Sequence, residues 1–266
     1  PIEELRPLAT PRSAGKTISW KGEKLIIREV SPEAFKGIQI AFFAATTGAS
    51  RELAPIAARQ GAVVVDKSNA WRMESTVPLV VPEVNPEALR QHRGIIASPN
   101  CSTVQMVVAL KPLHDAAGLT RVVVSTYQAV SGTGRDAVEE LRVQSRAILD
   151  RRPVEKRVYP HPIAFNLIPQ IESFDEQGYS VEEMKMVLET RKIFTLPDLP
   201  VAATTVRVPV YIGHSESVLV ETEEKLTADQ ARDILSKAPS IILMDDSRKG
   251  IYPVPSDCVG RDEVFV

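Results

Sequence analysis

Cysteine and histidine are both scarce, with two of the first and four of the second in 266 residues. Cys101 and Cys258 are too few for a disulfide framework, and no Cys and His fall at the short spacings of a structural zinc site. No metal site is expected, and a reducing cytoplasmic setting is. An excess of either charge is missing too: 32 Lys and Arg face 34 Asp and Glu, for a formal charge of -2. That balance gives no reason to expect a nucleic-acid partner. No apolar run approaches the ~18 residues of a membrane span, and no charged-then-apolar leader opens the sequence, so no membrane association is expected. Internal repeats and low-complexity segments are lacking as well.

What is present falls into two grammars. In the first hundred residues, short continuously apolar runs alternate with helical patterns. The runs are KLIIREV (24 to 30), IQIAFFAAT (38 to 46), AVVVDKS (62 to 68), VPLVVPEV (77 to 84) and GIIAS (94 to 98). Continuous rather than alternating apolarity suits a parallel sheet covered on both faces. SRELAPIAARQ and NPEALRQH read as crossover helices, the second opened by Asn85 with Pro86 at its first position. The pattern predicts an α/β, doubly wound, Rossmann-like domain over residues 1 to 100. After Cys101 regular alternation stops. A helix over 102 to 117, a long strand LTRVVVSTYQAVSG, helices RDAVEELRVQSRAILDRR and VEEMKMVLETRKIF, and strands AATTVRVPVYIG and SESVLVETEE predict an α+β domain with a mostly antiparallel sheet over 101 to 266.

Between the two grammars stands GIIASPNCSTVQMVVAL (94 to 110), where a strand ends in Pro99-Asn100 and delivers Cys101 to the start of a helix. Unpaired N–H groups and the helix dipole would lower a thiol's pKa there, and strand carboxyl ends in a doubly wound sheet face the ligand crevice. Position alone leaves two readings open, a nucleophile or a small buried apolar side chain. A nucleophile needs a proton-transfer partner among His92, His114, His161 and His214. His92 and His114 lie in polar helical segments and His161 between two prolines, whereas His214 is carried between two strands. Arg207 lies seven residues earlier, an odd separation that puts the two on opposite faces of one strand unless a bulge intervenes.

Taken together, SPNCST after a doubly wound domain, STYQAVSGTGRDA, VEEMKMVLETRKI and VRVPVYIGHSESV resemble the bacterial aspartate-β-semialdehyde dehydrogenases, and the resemblance runs in order from TPRSAGK to GRDEVFV. It implies an NADP-dependent, phosphorylating aldehyde dehydrogenase of lysine, threonine, methionine and diaminopimelate biosynthesis. Its product would be aspartate semialdehyde, made from aspartyl phosphate through a cysteine thioester. By the same resemblance Cys101 is the nucleophile, His214 the acid/base and Gln128 the residue that orients substrate and intermediate. Asn100 contacts substrate, Arg207 binds its α-carboxylate, Glu182 (or its neighbour Glu183) holds its amino group, and Arg72 and Lys185 line the phosphate pocket. These roles fit the chemistry. A thiolate that displaces phosphate leaves a neutral, reducible carbonyl, the leaving phosphate needs cations, and collapse of the adduct needs a proton donor of near-neutral pKa.

For the cofactor, Arg12 and Ser13 stand where an NAD-binding chain usually carries an acidic residue, which suits a 2′-phosphate; a plain solvated turn is the alternative. Thr46 and Gly48 in ATTGAS, and Ser131, Gly132 and Gly134 in SGTGRD, match family segments along the cofactor. The glycine-rich phosphate loop expected before the second strand does not occur in this sequence, so the chain as written is expected to bind cofactor weakly. A homodimer through the second domain is implied. Rival readings are N-acetyl-γ-glutamyl-phosphate reductase, another phosphorylating dehydrogenase such as a glyceraldehyde-3-phosphate dehydrogenase, or a silent paralogue that only dimerises. No motif surrounds Cys258, for which packing is the expected role.

Overall fold

Three of the apolar runs pair as expected. In the computed structural model, which describes residues 2 to 266, β5 (Ile40–Phe43), β6 (Val63–Asp66) and β7 (Ile95–Ala97) form a parallel sheet in the order β5-β6-β7. Helix α1 (Thr47–Arg59) crosses from β5 to β6, its Ala54 and Ala57 fully buried. Two runs behave otherwise. KLIIREV splits into β3 (Glu23–Ile26), an antiparallel hairpin with β2 (Thr17–Trp20), and β4 (Arg28–Glu29), which pairs with β1 (Leu8–Ala9). The hairpin turns on Lys21 and Gly22, both at positive φ (48° and 85°), the geometry of a two-residue turn whose twist matches antiparallel strands. Its Ile26 stays 62 % exposed, so this is a surface ribbon outside the parallel sheet.

VPLVVPEV forms no strand either. Pro78 and Pro82 carry no N–H for a ladder, and the Asn85 side chain supplies the missing order. Its Oδ1 accepts from Val81 N–H at 2.9 Å and its Nδ2 donates to Leu79 O at 2.9 Å. The run is buried as an irregular plug, and NPEALRQH is a 3-10 turn over Pro86–Gln91. The chain divides into two units, residues 1–78 with 90–98 and residues 79–89 with 99–266, so the plug goes with the second.

The second unit is built on a mixed three-stranded sheet. Its strands are β8 (Leu119–Gln128), antiparallel to β10 (Ser215–Thr222) and parallel to β9 (Val201–Arg207), in the order β10-β8-β9. Helices α2 (Cys101–Ala117) and α4 (Val181–Phe194) cover one face. Along that face the register changes chemistry row by row. Val220, Val122 and Val201 form one row and Val218, Val124 and Ala203 the next; then come Glu216, Thr126 and Thr205, and finally Gln128 beside Arg207. The apolar rows meet Met106, Leu110 and Met186 in the main core. The polar rows end at the helix starts, where side chains that the core would reject gather instead.

Helix α3 (Arg135–Leu149) stabilises the irregular segment that follows it. Gln144 Oε1 accepts from Ile163 N–H at 2.8 Å and Ala164 N–H at 3.2 Å, while Glu140 Oε2 accepts from Arg157 N–H at 2.9 Å and Val158 N–H at 2.5 Å. Loop donors that would otherwise be orphaned are thus satisfied by two side chains one helical turn apart. Val130, Leu141, Ile163 and Ile168 close a second small core there. Short elements complete the unit: α5 (Ala228–Lys237), β11 (Ile241–Ile242), α6 (Pro255–Cys258) and β12 (Val264–Phe265), the last parallel to β11. Among the described residues no helix is long and apolar enough to cross a membrane, and no group of His, Cys, Asp and Glu converges as a metal site would.

Candidate active site

Asn100 organises the nucleophile's helix. As N-cap of α2, its Oδ1 accepts from Ser102 N–H at 2.9 Å and Thr103 N–H at 3.4 Å. Its Nδ2 donates to both oxygens of Glu182 at 3.0 and 3.1 Å, and its own N–H donates to Glu189 Oε2 at 2.6 Å. One asparagine thereby caps α2 and ties it to two acids on α4. Those acids are seven residues apart, two helical turns, on the face that also carries Met186. That spacing of acids on a buried face is the signal by which Glu189 could have been found.

Glu182 is 3 % exposed. It also accepts from Gln128 Nε2 at 3.1 Å and pairs with Lys185 Nζ at 3.4 Å, while Lys185 makes a second ion pair with Glu172. The neighbouring Glu183 has a structural duty: it completes the capping box with Ser180 and accepts from Thr205 N–H at 3.0 Å.

Strand β9 ends at Arg207, and residues 208 to 214 leave the sheet before β10 begins, so the odd spacing of Arg207 and His214 puts no constraint on their faces. Both side chains converge on the turn after β8. Arg207 Nη1 donates to Ala129 O at 2.8 Å, and Ala129 N–H donates to His214 Nδ1 at 3.0 Å, so the backbone of one residue anchors guanidinium and imidazole alike. Gly132 makes room for them. A Cβ there would lie 3.1 Å from Arg207 Nη1 and 3.1 Å from His214 Nε2. Arg207 is 5 % exposed and its buried Nε has no hydrogen-bond partner. An unsatisfied buried donor is costly, and a carboxylate ligand would satisfy it.

The electrostatics correct one expectation. The Cys101 thiol is raised above its ordinary value, not lowered: burial acts first and the Glu182 charge second, against the Ser102 N–H, Arg207 and the Ser102 hydroxyl. Its surface is nevertheless exposed, so the sulfur is accessible while protein crowds its other sides. Helix-end donors alone do not outweigh a desolvated carboxylate next door. Burial and the nearby Arg207 lower His214 to about 4 although Glu182 opposes them, so the ring is neutral at pH 7. Because Nδ1 accepts from Ala129, the neutral ring carries its proton on Nε2.

The other histidines are elsewhere. His114 accepts from Leu119 N–H at 3.1 Å and stacks edge-on against Phe194, so it is half-buried despite its polar helical segment; His92 accepts from Gly94 N–H, and His161 is exposed. Cys258 is half-buried, its Sγ 3.4 Å from Val254 O. Ser131, Gly132 and Gly134 form the turn beside the site, with Gly134 at φ 113°. Arg72, Arg12, Ser13, Thr46 and Gly48 belong to the first unit. There Arg72 donates to Ser98 O at 3.0 Å and Lys67 O at 2.8 Å, and Thr46 caps α1 through Ala49 N–H at 3.3 Å. A network absent from the sequence reading lies at the end of β6, where buried Asp66 accepts from Ser50 and Ser68 and the Ser50 hydroxyl accepts from Trp71 Nε1 at 3.0 Å.

A thiol at a helix start, in one unit with a neutral imidazole and a half-satisfied buried guanidinium, follows in sequence a parallel-sheet α/β unit; that combination defines the class of cysteine-dependent dehydrogenases. Comparison narrows the class. Residues 1–92 match the family described as semialdehyde dehydrogenase, NAD binding domain, and residues 110–266 match semialdehyde dehydrogenase, dimerisation domain. The whole chain is 49 % identical to 79 % of the aspartate-semialdehyde dehydrogenase of Bacillus subtilis, and 50 % identical to 79 % of that of Aquifex aeolicus. A Vibrio cholerae structure, aspartate semialdehyde dehydrogenase II complexed with ASA, superposes with a TM-score of 0.96 at 44 % identity, over 100 % of this chain and 79 % of that one. The chain belongs to the aspartate-semialdehyde dehydrogenase family, and its cofactor class is a nicotinamide dinucleotide.

Proposed function

We propose that the protein interconverts L-aspartyl-4-phosphate and L-aspartate-4-semialdehyde with NADP, through a thioester on Cys101, as a cytoplasmic step of lysine, threonine, methionine and diaminopimelate biosynthesis. The observation that carries this reading is the cradle at Gly132, where a buried guanidinium with an unpartnered Nε adjoins a neutral imidazole. It suits a small substrate with a carboxylate at one end and a reacting carbonyl at the other. The relative from Vibrio cholerae, complexed with ASA, supports the same substrate.

Arg207 takes the α-carboxylate and Glu182 the α-ammonium, while Asn100 and Gln128, both already bonded to Glu182, hold that acid and the substrate in register. Lys185 serves the phosphate, a role proposed for Arg72 as well. Cys101 forms the S–C bond to C4, and in the oxidative direction phosphate oxygen later forms its bond to C4 as the S–C bond breaks. His214 donates from Nε2 to the oxygen of the tetrahedral adduct. Taking the thiol's proton at that nitrogen requires the other tautomer and loss of the Ala129 bond. A substrate carboxylate on Arg207 also screens the second cause of the low His214 value, which makes the ring more basic once substrate is bound.

For the dinucleotide, the N-terminus of α1 fits a phosphate: a Cβ on Gly48 would meet nothing within 4 Å, so the backbone at Thr46 and Gly48 is approachable. Arg12 is exposed beside Ser13 in the turn over 10 to 15, which suits a 2′-phosphate, and Ser131, Gly132 and Gly134 complete the contacts proposed. Bound there, the dinucleotide supplies or accepts the hydride. Residues 1 to 100 are then the dinucleotide domain and 101 to 266 the catalytic and dimerisation domain. The outer face of the second sheet, with Tyr127 46 % and Leu219 56 % exposed, supports a homodimer.

Phosphate- and NADP-dependent oxidation of L-aspartate-4-semialdehyde, measured on purified protein against N-acetyl-glutamate semialdehyde and glyceraldehyde 3-phosphate, tests the reading. Turnover of the first that disappears in Cys101→Ser is expected; preference for either of the others, or no turnover of any, overturns it.

A further inference from the structure

We propose that Gln105 and Glu216 are a positioning pair, a tether one layer beneath the nucleophile and the imidazole that sets the spacing of α2 against β10. The proposal deepens the cysteine-dependent reading above and rests on it.

Gln105 Nε2 donates to Glu216 Oε1 at 2.7 Å. Sequence places each partner close to a residue of the site. Gln105 follows Cys101 by four residues, one turn along the same face of α2, and Glu216 is the second residue of β10, two past His214. The bond therefore joins α2 to β10 one helical turn past the thiol and two residues past the imidazole. Farther along the pair the contact is apolar, Val220 packing against the core cluster that holds Met106 and Leu110. β10 is an edge strand, paired with β8 alone, and a cavity of about 590 Å³ opens between it and α2, lined by Met106, Leu110, Val218 and Val220. Where packing is thin, a single polar contact decides separation.

A carboxyl is a poor choice if stability alone is at stake. Burial pushes Glu216 up to about 8, with only Gln105 acting the other way, and an apolar side chain would fill the cavity at less cost. The titratable groups that share the cavity are His214, Cys258, Arg261 and Glu263, and none of them is hydrogen-bonded to Glu216. A costly residue kept beside a catalytic strand end has its explanation in placement.

The test compares Glu216→Leu, Gln105→Ala and the exchanged pair Gln105→Glu with Glu216→Gln in the full chain. Semialdehyde turnover is read as kcat against KM, together with the pH dependence of iodoacetamide alkylation at Cys101, with Cys258 as internal reference. Expected is a folded Glu216→Leu protein whose kcat falls about tenfold or more while KM changes less than about threefold, a similar loss in Gln105→Ala, and recovery in the exchanged pair. A folded Glu216→Leu protein with unchanged kcat, or an exchanged pair that regains thermal stability but stays slow, overturns the tether. If Gln105→Ala does not fold, Glu216→Leu decides. Should the wild-type chain turn over none of the aldehydes, the functional reading fails by itself. The tether is then judged on alkylation, where the Cys101 profile is expected to shift in Glu216→Leu and return in the exchanged pair; an unshifted profile overturns it.

Discussion

Cys101 has neighbours of both signs, and its reactivity follows from which of them prevails. Burial and Glu182 hold the proton on the sulfur, while Ser102 and Arg207 favour its loss. Alkylation of Cys101 by iodoacetamide is therefore expected to be slow at pH 7 and to accelerate with rising pH. Glu182→Gln removes the opposing charge but keeps an amide within reach of Asn100, so the alkylation midpoint should fall. A midpoint that stays put or rises would mean that Glu182 acts on the thiol only through Asn100. The thiol at rest is a protonated one, and substrate binding has to change the balance around it.

At the scale of elements, the site depends on strand and helix ends meeting one turn, residues 129 to 134. Ala129 lends its carbonyl to Arg207 and its N–H to His214, and Gly132 leaves both side chains the space they occupy. Gly132→Ala has to displace one of two side chains that are already hydrogen-bonded in place. Its expected effect is a loss of kcat/KM of about 10 to 100-fold with a thermal midpoint near that of the wild type. Steady-state kinetics and a melting curve on the same preparation check both halves. A variant as active as the wild type would show that the cradle tolerates a methyl group and that Arg207 and His214 are not held there.

At the scale of the whole molecule, two buried groups pull stability in opposite directions with pH. His214 has its folded value lowered to about 4 from an ordinary 6.5, so the unfolded chain binds more protons between those values, and stability falls as pH drops through that window. Glu216 has its value raised to about 8 from 4.5, so the folded chain binds more protons there, and its contribution falls as pH rises from 4.5 to 8. Between 4.5 and 6.5 the two slopes oppose one another; above 6.5 only that of Glu216 remains. Glu216→Gln should therefore gain stability relative to wild type as pH goes from 5 to 8, by on the order of 3 kcal/mol at the upper end. Urea unfolding at pH 5, 6.5 and 8 measures it, and a difference independent of pH would show that burial does not raise Glu216 in the folded protein.

Much of this was legible in the residues alone. Runs such as AFFA and VVVD do pair as parallel strands, but the expected cover on both faces is not seen, since Ile40 at 58 % and Phe42 at 73 % exposed leave one face of β5 open. SPNC before an apolar helical stretch specified a thiol at a helix start, because Asn is a strong cap wherever a helix follows it. Local sequence was insufficient where the partner is distant in the chain. VPLVVPEV is apolar enough for a strand, yet two prolines and the Asn85 side chain make it an irregular plug. The convergence of Arg207 and His214 on one residue's backbone, the approach of Glu182 and Glu189 to Asn100, and the raised thiol all arise from contacts spanning tens of residues. Propensity and capping are properties of neighbours along the chain. Desolvation and charge are properties of neighbours in space, and only the tertiary structure decided those.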